Sequence, residues 1–266
     1  MNLAFLDPYY PTKSPVHRLD ARVKLVMALA FIVLLNVTPI QAWPAYGLYL
    51  AVIGATIALA RVRLGAVVRR SLLALPFVLM AVLSVPFIRE GQPVVTLPLW
   101  GGRLTLTDVG LLRMTTILAR SWLSVLVVIT LAFTAHLTDL VRAMRGMGVP
   151  RVLAFTLLLM YRYLYVLVEE ALRLMRARDA RTVEPVAGHK GPSVLWRARV
   201  TGAIIGTLFL RTYERSERIY QAMLARGFTG ELRALAEPTL SRRDLAWGGA
   251  GVALLALIAV VANVYW

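Results

Sequence analysis

The sequence has no cysteine, which excludes disulfides and thiolate metal sites. It has three histidines, His17, His136 and His189, in separate basic segments. None has a His or Cys partner at i+4, the spacing of a helical metal pair, so all three are expected to be surface or structural residues with no metal site among them. Acidic residues are few, 14 against 30 Lys and Arg, and the net charge is +16. No nucleotide motif is present. "GHKGPS" (Gly188–Ser193) holds glycine and lysine without P-loop spacing, so the chain is not expected to hydrolyse ATP or to bind a cofactor directly. No internal repeat is visible. The leader "MNLAFLDPYYPTKSPVHRLDARVK" is too polar and proline-rich for a signal peptide and reads as a cytoplasmic segment.

What the chain has in abundance is apolar surface. Its 266 residues are 59% hydrophobic, with mean hydropathy +0.68. Soluble domains sit near 45–50%, so the composition is that of a membrane protein. The basic excess does not point to nucleic acid, because the Lys and Arg residues flank or interrupt apolar runs of bilayer length. A spanning helix needs roughly 20 mostly apolar residues. Val23–Val37, Ala42–Ala60, Leu72–Ile88, Val109–Thr134 and Leu245–Val264 qualify or nearly so. The first is short; Leu19 and Ala21 extend it, and Lys24 is expected to snorkel to the interface.

Lys and Arg also set orientation. The leader carries Lys13, Arg18, Arg22 and Lys24, the turn "TPIQAW" carries no charge, and "ARVRLGAVVRR" carries Arg61, Arg63, Arg69 and Arg70. The N-terminus and the second loop are therefore expected in the cytoplasm, with the C-terminus outside. In the loop "REGQPVVTLPLWGGRLTLTD" the alternating Val, Leu and Thr suggest a small external hairpin. Arg113 and Arg120 share a face of the fourth span; they either serve a partner or transported species, or snorkel and pair inside the bundle. The expected organisation is one unit over 1–266: a leader to 22, four spans in 23–134, a cytoplasmic or interfacial region in 136–243, and a last span in 244–266.

The region from His136 to Arg243 holds 18 of the 30 basic and 9 of the 14 acidic residues, unlike a simple loop. Within it "TDLVRAMRGMGVP" reads as a short amphipathic helix, and two long helices follow, Arg151–Arg178 and Leu195–Arg226. At about 1.5 Å per residue these are roughly 42 and 48 Å long. Each begins apolar and ends charged. The first is nearly long enough to span, but spanning would put basic residues outside, so it is expected to lie obliquely. Arg162 within it reads as structural. Between the two lies the Pro/Gly loop "TVEPVAGHKGPS". In the second helix Glu214 and Arg218 have the spacing of a helical ion pair, and Gly202 and Gly206 form a small-xxx-small step for close crossing. Gly227 suits the left-handed position past the helix end, with Phe228 packing back on the last turn. Both helices therefore end in an Ala-Arg tip: Ala177-Arg178, followed by Asp179 and Arg181, and Ala225-Arg226-Gly227. A guanidinium at a rigid tip can bond a partner's carboxylates or carbonyls bidentately.

At these residues the sequence resembles the transmembrane T component of energy-coupling factor (ECF) transporters, the CbiQ/EcfT family. "SPVHRLDARVKL" resembles the family's N-terminal signature, with Asp20, Arg22 and Lys24. "GVPRVLAFTLLLMYRYLYVLVEEALRLMRARDAR" and "RTYERSERIYQAMLARGFTGE" resemble its two coupling regions. The resemblance implies an all-α integral membrane protein with about five transmembrane helices and long cytoplasmic-side coupling helices. It implies a scaffold, not an enzyme, bound by two cytosolic ABC ATPase subunits that use ATP and by a membrane S component that captures substrate. It places ATPase docking at Ala177, Arg178 or Arg181, and at Ala225, Arg226 and Gly227; Asp179 stands where the family commonly has Gly. Asp20, Arg22 and Lys24 belong to that N-terminal signature and are read as capping and orienting the first span at the inner surface. Cobalt is the implied cargo, with nickel or a vitamin as alternatives. A lipid-modifying membrane enzyme would need acid, base or metal ligands clustered at one depth, and a self-sufficient permease would need broken helices or polar groups at mid-membrane; neither pattern is found.

Overall fold

The computed structural model describes residues 9–12, 14–87, 93–99, 102–181, 193–229 and 240–265. The loop 182–192, with His189, and most of the leader lie outside these residues, as do Lys13 and Ile88. The elements are α1 (Pro15–Arg18), α2 (Ala21–Val37), α3 (Trp43–Ala60), α4 (Leu64–Leu72), α5 (Leu75–Val82), β1 (Pro93–Leu99), β2 (Gly102–Thr107), α6 (Asp108–Thr134), α7 (Leu137–Gly146), α8 (Arg151–Arg181), α9 (Val194–Ala225) and α10 (Arg242–Tyr265). Two compact units result, Met1–Ala143 with Pro238–Trp266, and Met144–Glu237.

In the first unit α2, α3, α6 and α10 share a core built on Phe31, Leu35, Tyr49, Ile53, Leu126 and Ile258. Their opposite faces carry exposed apolar side chains, among them Val33, Leu59, Leu257 and Val264. A protein in water rarely displays such a continuous apolar belt; in hydrocarbon it is the expected exterior. Among the described residues five helices are long and apolar enough to cross a membrane, so the protein is multi-pass: α3, the stretch Leu64–Val82, α6, α8 and α10. This set differs from the expected five. At 17 residues α2 is at the short end of the spanning range, and α8 meets the criterion of length and composition although an oblique placement was expected.

The third run also differs. Helix begins at Leu64, eight residues before the apolar run, because Leu64–Leu72 is amphipathic, with Val67 and Ser71 buried and Arg69 and Arg70 in the last turn. It breaks at Leu73–Ala74, just before Pro76, whose ring and missing N–H cannot continue the ladder. The hairpin is present: β1 and β2 pair antiparallel, Thr96 opposite Thr105. Among the described residues these are the only strands.

Helices in lipid do not associate by the hydrophobic effect and depend on close van der Waals contact. The close approach falls in α10. A Cβ on Gly248 would stand 2.6 Å from Val23 Cγ1, and one on Gly251 2.9 Å from Met27 Sδ. Both residue numbers rise together, so α10 runs parallel to α2 and starts at the same end of the unit. Antiparallel α6 closes the other side, with Thr134 level with Lys24 and Arg120 level with Thr38.

Gly248→Val should cost about 1–3 kcal/mol of stability, since the branched Val23 has little room to give way. Gly251→Ala should cost less, because the flexible Met27 side chain can swing aside. Unfolding of the detergent-solubilised protein measures both.

Candidate functional site

Within the second unit, α8 and α9 pack antiparallel. Phe155 stacks on Phe228 with ring centroids 5.0 Å apart, and Arg211 Nη1 donates to Glu170 Oε1 at 2.7 Å. Between these two contacts Leu159, Tyr163 and Val166 face Thr212, Ile219 and Met223 across an apolar groove of about 300 Å³. The Arg211 pair is well placed, because Glu170 is only 14% exposed and also has Arg173 at 3.7 Å. Arg173 further meets Glu169 at 3.5 Å. Both glutamates are thus held by Arg173 and Arg211 rather than by Arg162.

The antiparallel register decides where the two tips lie. Arg226 falls at the level of about residue 157 of α8, next to the Phe155–Phe228 stack. Arg178 lies about 21 residues further along α8, so the tips stand roughly 32 Å apart at opposite ends of the pair. At the α8 tip Ala177 and Arg181 are exposed. Asp179 Oδ1 accepts from Arg178 Nε at 2.9 Å and Nη2 at 2.6 Å, holding that guanidinium along the helix surface. Arg181 is the last helical residue and carries no such carboxylate contact in the described geometry. At the α9 tip Gly227 adopts φ +75°, the left-handed conformation that glycine takes without steric cost. Gly227 N–H donates to the Leu224 carbonyl at 2.9 Å and Phe228 N–H to that of Met223 at 3.0 Å, satisfying the last carbonyls in the manner of a Schellman stop. Ala225 and Arg226 are exposed there. Phe228 packs on α8 through Phe155.

Gly202 and Gly206 do not mediate a close crossing: a Cβ at either meets nothing within 4 Å. The α8-facing side of α9 is the one bearing Thr212, Ile219 and Met223, and the two glycines lie on another side. Arg218 Nε donates to the main-chain carbonyl of Glu214 at 3.4 Å, where an ion pair with the carboxylate was expected.

In the first unit the N-terminal signature is an anchor. Ser14 caps α1 and Asp20 caps α2, its carboxylate accepting from Arg22 N–H at 2.8 Å. Lys24 does not snorkel. It is 6% exposed, and its ammonium donates to the carbonyls of Thr134 at 2.9 Å and His17 at 3.2 Å. Those carbonyls end α6 and α1, where helices leave acceptors unpaired and carry negative dipole charge that offsets part of the cost of burying the cation. Arg120 plays the matching part at the other end. It donates to the Thr38 carbonyl that follows α2 and, at 2.9 Å, to Tyr46 Oη. Arg120 is thereby committed to structure, and Arg113 is engaged as well.

Sequence reasoning treated His17 and His136 separately; Tyr9 joins them. Its ring lies 3.6 Å from that of His136 and 5.8 Å from that of His17. Thr12 Oγ1 donates to the Ala60 carbonyl at 3.1 Å, and Ser14 Oγ bonds His17 Nδ1 at 2.7 Å. The only advance signal was aromatic and hydroxyl residues clustered in a proline-rich leader. Among the described residues no three His, Asp or Glu side chains are grouped to hold a metal.

Comparison with known proteins bears on the same segments. The signature of the family described as cobalt transport protein, CbiQ, matches residues 12–235. The energy-coupling factor transporter transmembrane protein EcfT of Acidaminococcus fermentans is 26% identical over 98% of this chain and 96% of its own length. The nickel permease LarQ of Lactiplantibacillus plantarum is 34% identical over 36% of this chain and 33% of its own. A Bifidobacterium longum protein assigned as an ABC transporter ATP-binding protein is 28% identical over 93% of this chain but only 32% of itself.

Burial, and then the Lys24 charge, hold the His17 pKa below its usual 6.5. The unfolded chain therefore binds the proton more readily, and stability is full above pH 6.5 and falls as pH drops below it. Melting temperature in detergent should decline between pH 7.5 and pH 5.5, and His17→Gln should flatten that slope.

Proposed function

Because the chain belongs to the CbiQ/EcfT family, the transmembrane components of energy-coupling factor transporters, we propose that it is the non-catalytic scaffold of a metal-ion importer. Two cytosolic ATPases dock on its Ala-Arg tips, and a membrane S component captures the cargo. The observation that carries this reading is the placement of the tips at opposite ends of one antiparallel helix pair. Tips roughly 32 Å apart leave room for one ATPase at each, where neighbouring tips would crowd both onto one site. The α9 tip offers Arg226 on a glycine-stopped turn. At the α8 tip Asp179 already holds Arg178, so Arg181 is the guanidinium with less to give up on binding.

ATP binds and is hydrolysed in the partners. Closure of the ATPase pair changes the distance between the tips, and α8 and α9 carry that displacement to the membrane subunits. Such coupling needs two arrangements whose balance the nucleotide biases. The Bifidobacterium relative supports the partnership, since its match to this chain fills a third of a polypeptide named for ATP binding. The family description and LarQ favour cobalt or nickel as cargo over a vitamin. Arg18, Arg22, Arg61, Arg63, Arg69 and Arg70 gather at the end of the first unit where α2 and α10 begin, which supports reading that end as the cytoplasmic one of a plasma-membrane protein.

Co-purification with an ABC ATPase co-expressed with this chain tests the docking. Arg226→Ala, and Arg181→Ala or Arg178→Ala at the other tip, should each weaken capture by roughly 2–4 kcal/mol, as loss of a central interface arginine does. Undiminished capture by a protein altered at both tips would return these arginines to helix capping. Uptake of labelled cobalt against nickel in cells bearing the complete operon decides the cargo.

A further inference from the structure

The first unit contains a cavity that the transport scheme does not use. It lies among α2, α3, α6 and α10, has a volume of about 140 Å³ and is open on one side. Ala28 and Phe31 of α2, Ile53 of α3, Val127 of α6 and Leu255 of α10 make its wall. Three threonines also line it, and each hydroxyl is spent on its own helix: Thr56 on the Ile53 carbonyl, Thr130 on that of Leu126, Thr134 on that of Thr130. With their hydroxyl protons spent, the threonines add only acceptor oxygens to a wall that is otherwise almost entirely apolar. Lys24 closes one end, its ammonium engaged by the His17 and Thr134 carbonyls. From Lys24 to Phe31 the cavity follows about two turns of α2, roughly 10 Å, which fits within one leaflet of a hydrocarbon core about 30 Å thick.

We propose that this cavity is a binding slot for one acyl chain of a bilayer phospholipid, in the leaflet on whose side α2 and α10 begin. The slot is continuous with the lipid-facing surface. Leu254, 47% exposed, lines it and belongs to the same outer apolar face as Leu257 and Val261. An apolar cavity near 150 Å³ stays dry and takes an apolar guest instead, and hydrocarbon is what this one meets. Because Lys24 closes the polar end, the chain enters from the lipid-facing side at Leu254. It fills the space left beside the glycine contacts that already join α10 to α2.

Photolabelling tests this with the full-length protein in vesicles containing a phosphatidylcholine that bears a diazirine within its acyl chain. The expected result is strong label on Met27, Thr130 or Leu254, compared with Val33 as a site of ordinary lipid contact. Thr56→Phe and Thr130→Phe each fill the slot without removing a bond between helices. In either variant slot label should fall about tenfold while Val33 label stays constant. Label in the slot no stronger than at Val33, or unchanged in a folded filled variant, would overturn the proposal. Should neither variant fold, dilution of the wild-type vesicles with unlabelled lipid still decides: Val33 label should fall at once and slot label should lag, and equal decay would overturn the slot.

Discussion

The membrane unit depends on how it disposes of helix ends. A helix leaves its last carbonyls without partners, and hydrocarbon supplies none. Here two cations from elsewhere in the chain answer that need. Lys24 serves the ends of α1 and α6 with one ammonium, and Arg120 serves the end of α2 from the opposite side of the bundle. Each joins elements far apart in sequence, so they fix which helices are neighbours as well as satisfying acceptors. The apolar core then needs only to fill the space between ends already held in place. Buried charge would ordinarily be a liability; here the carbonyl clusters at the two ends repay it.

The second unit is built on another principle. Few of the side chains of α9 are even half buried, and α8 buries only Ala154. What holds the pair is a short zone bounded by the Phe155–Phe228 stack and the Glu170–Arg211 bond, with an apolar groove between. Contact of that extent permits relative movement of the two helices at a modest cost.

Much of this was legible beforehand. Apolar run length located most of the membrane helices, strand alternation located the hairpin, and the Ala-Arg-Gly ending located the α9 tip. What escaped detection was pairwise. Lys24 looked like a snorkelling residue because its partners are main-chain carbonyls, which no side-chain pattern advertises. Gly202 and Gly206 have the spacing of a crossing site, but spacing does not say which face a neighbour takes; the glycines that do admit a neighbour, Gly248 and Gly251, sit in a run so rich in small residues that no single pair stood out. The start of the third span was misread because α4 hides four apolar residues among its arginines. Asp179 was noticed as a departure from the family pattern, yet its effect, a guanidinium folded onto its own helix, required coordinates.

The parallel contact between α2 and α10 has a consequence for how the chain is made. Val23 and Met27 are made more than 200 residues ahead of the Gly248 and Gly251 that they meet. At roughly 5–20 residues per second of synthesis, the intervening chain takes about 10–40 s to emerge. Through that interval one flank of α2 has no protein neighbour, and the whole second unit is finished while the first remains open. Completion of the membrane unit therefore waits until α10 has been made, and a ribosome that stalls within α10 leaves behind a bundle with its glycine-notched side missing.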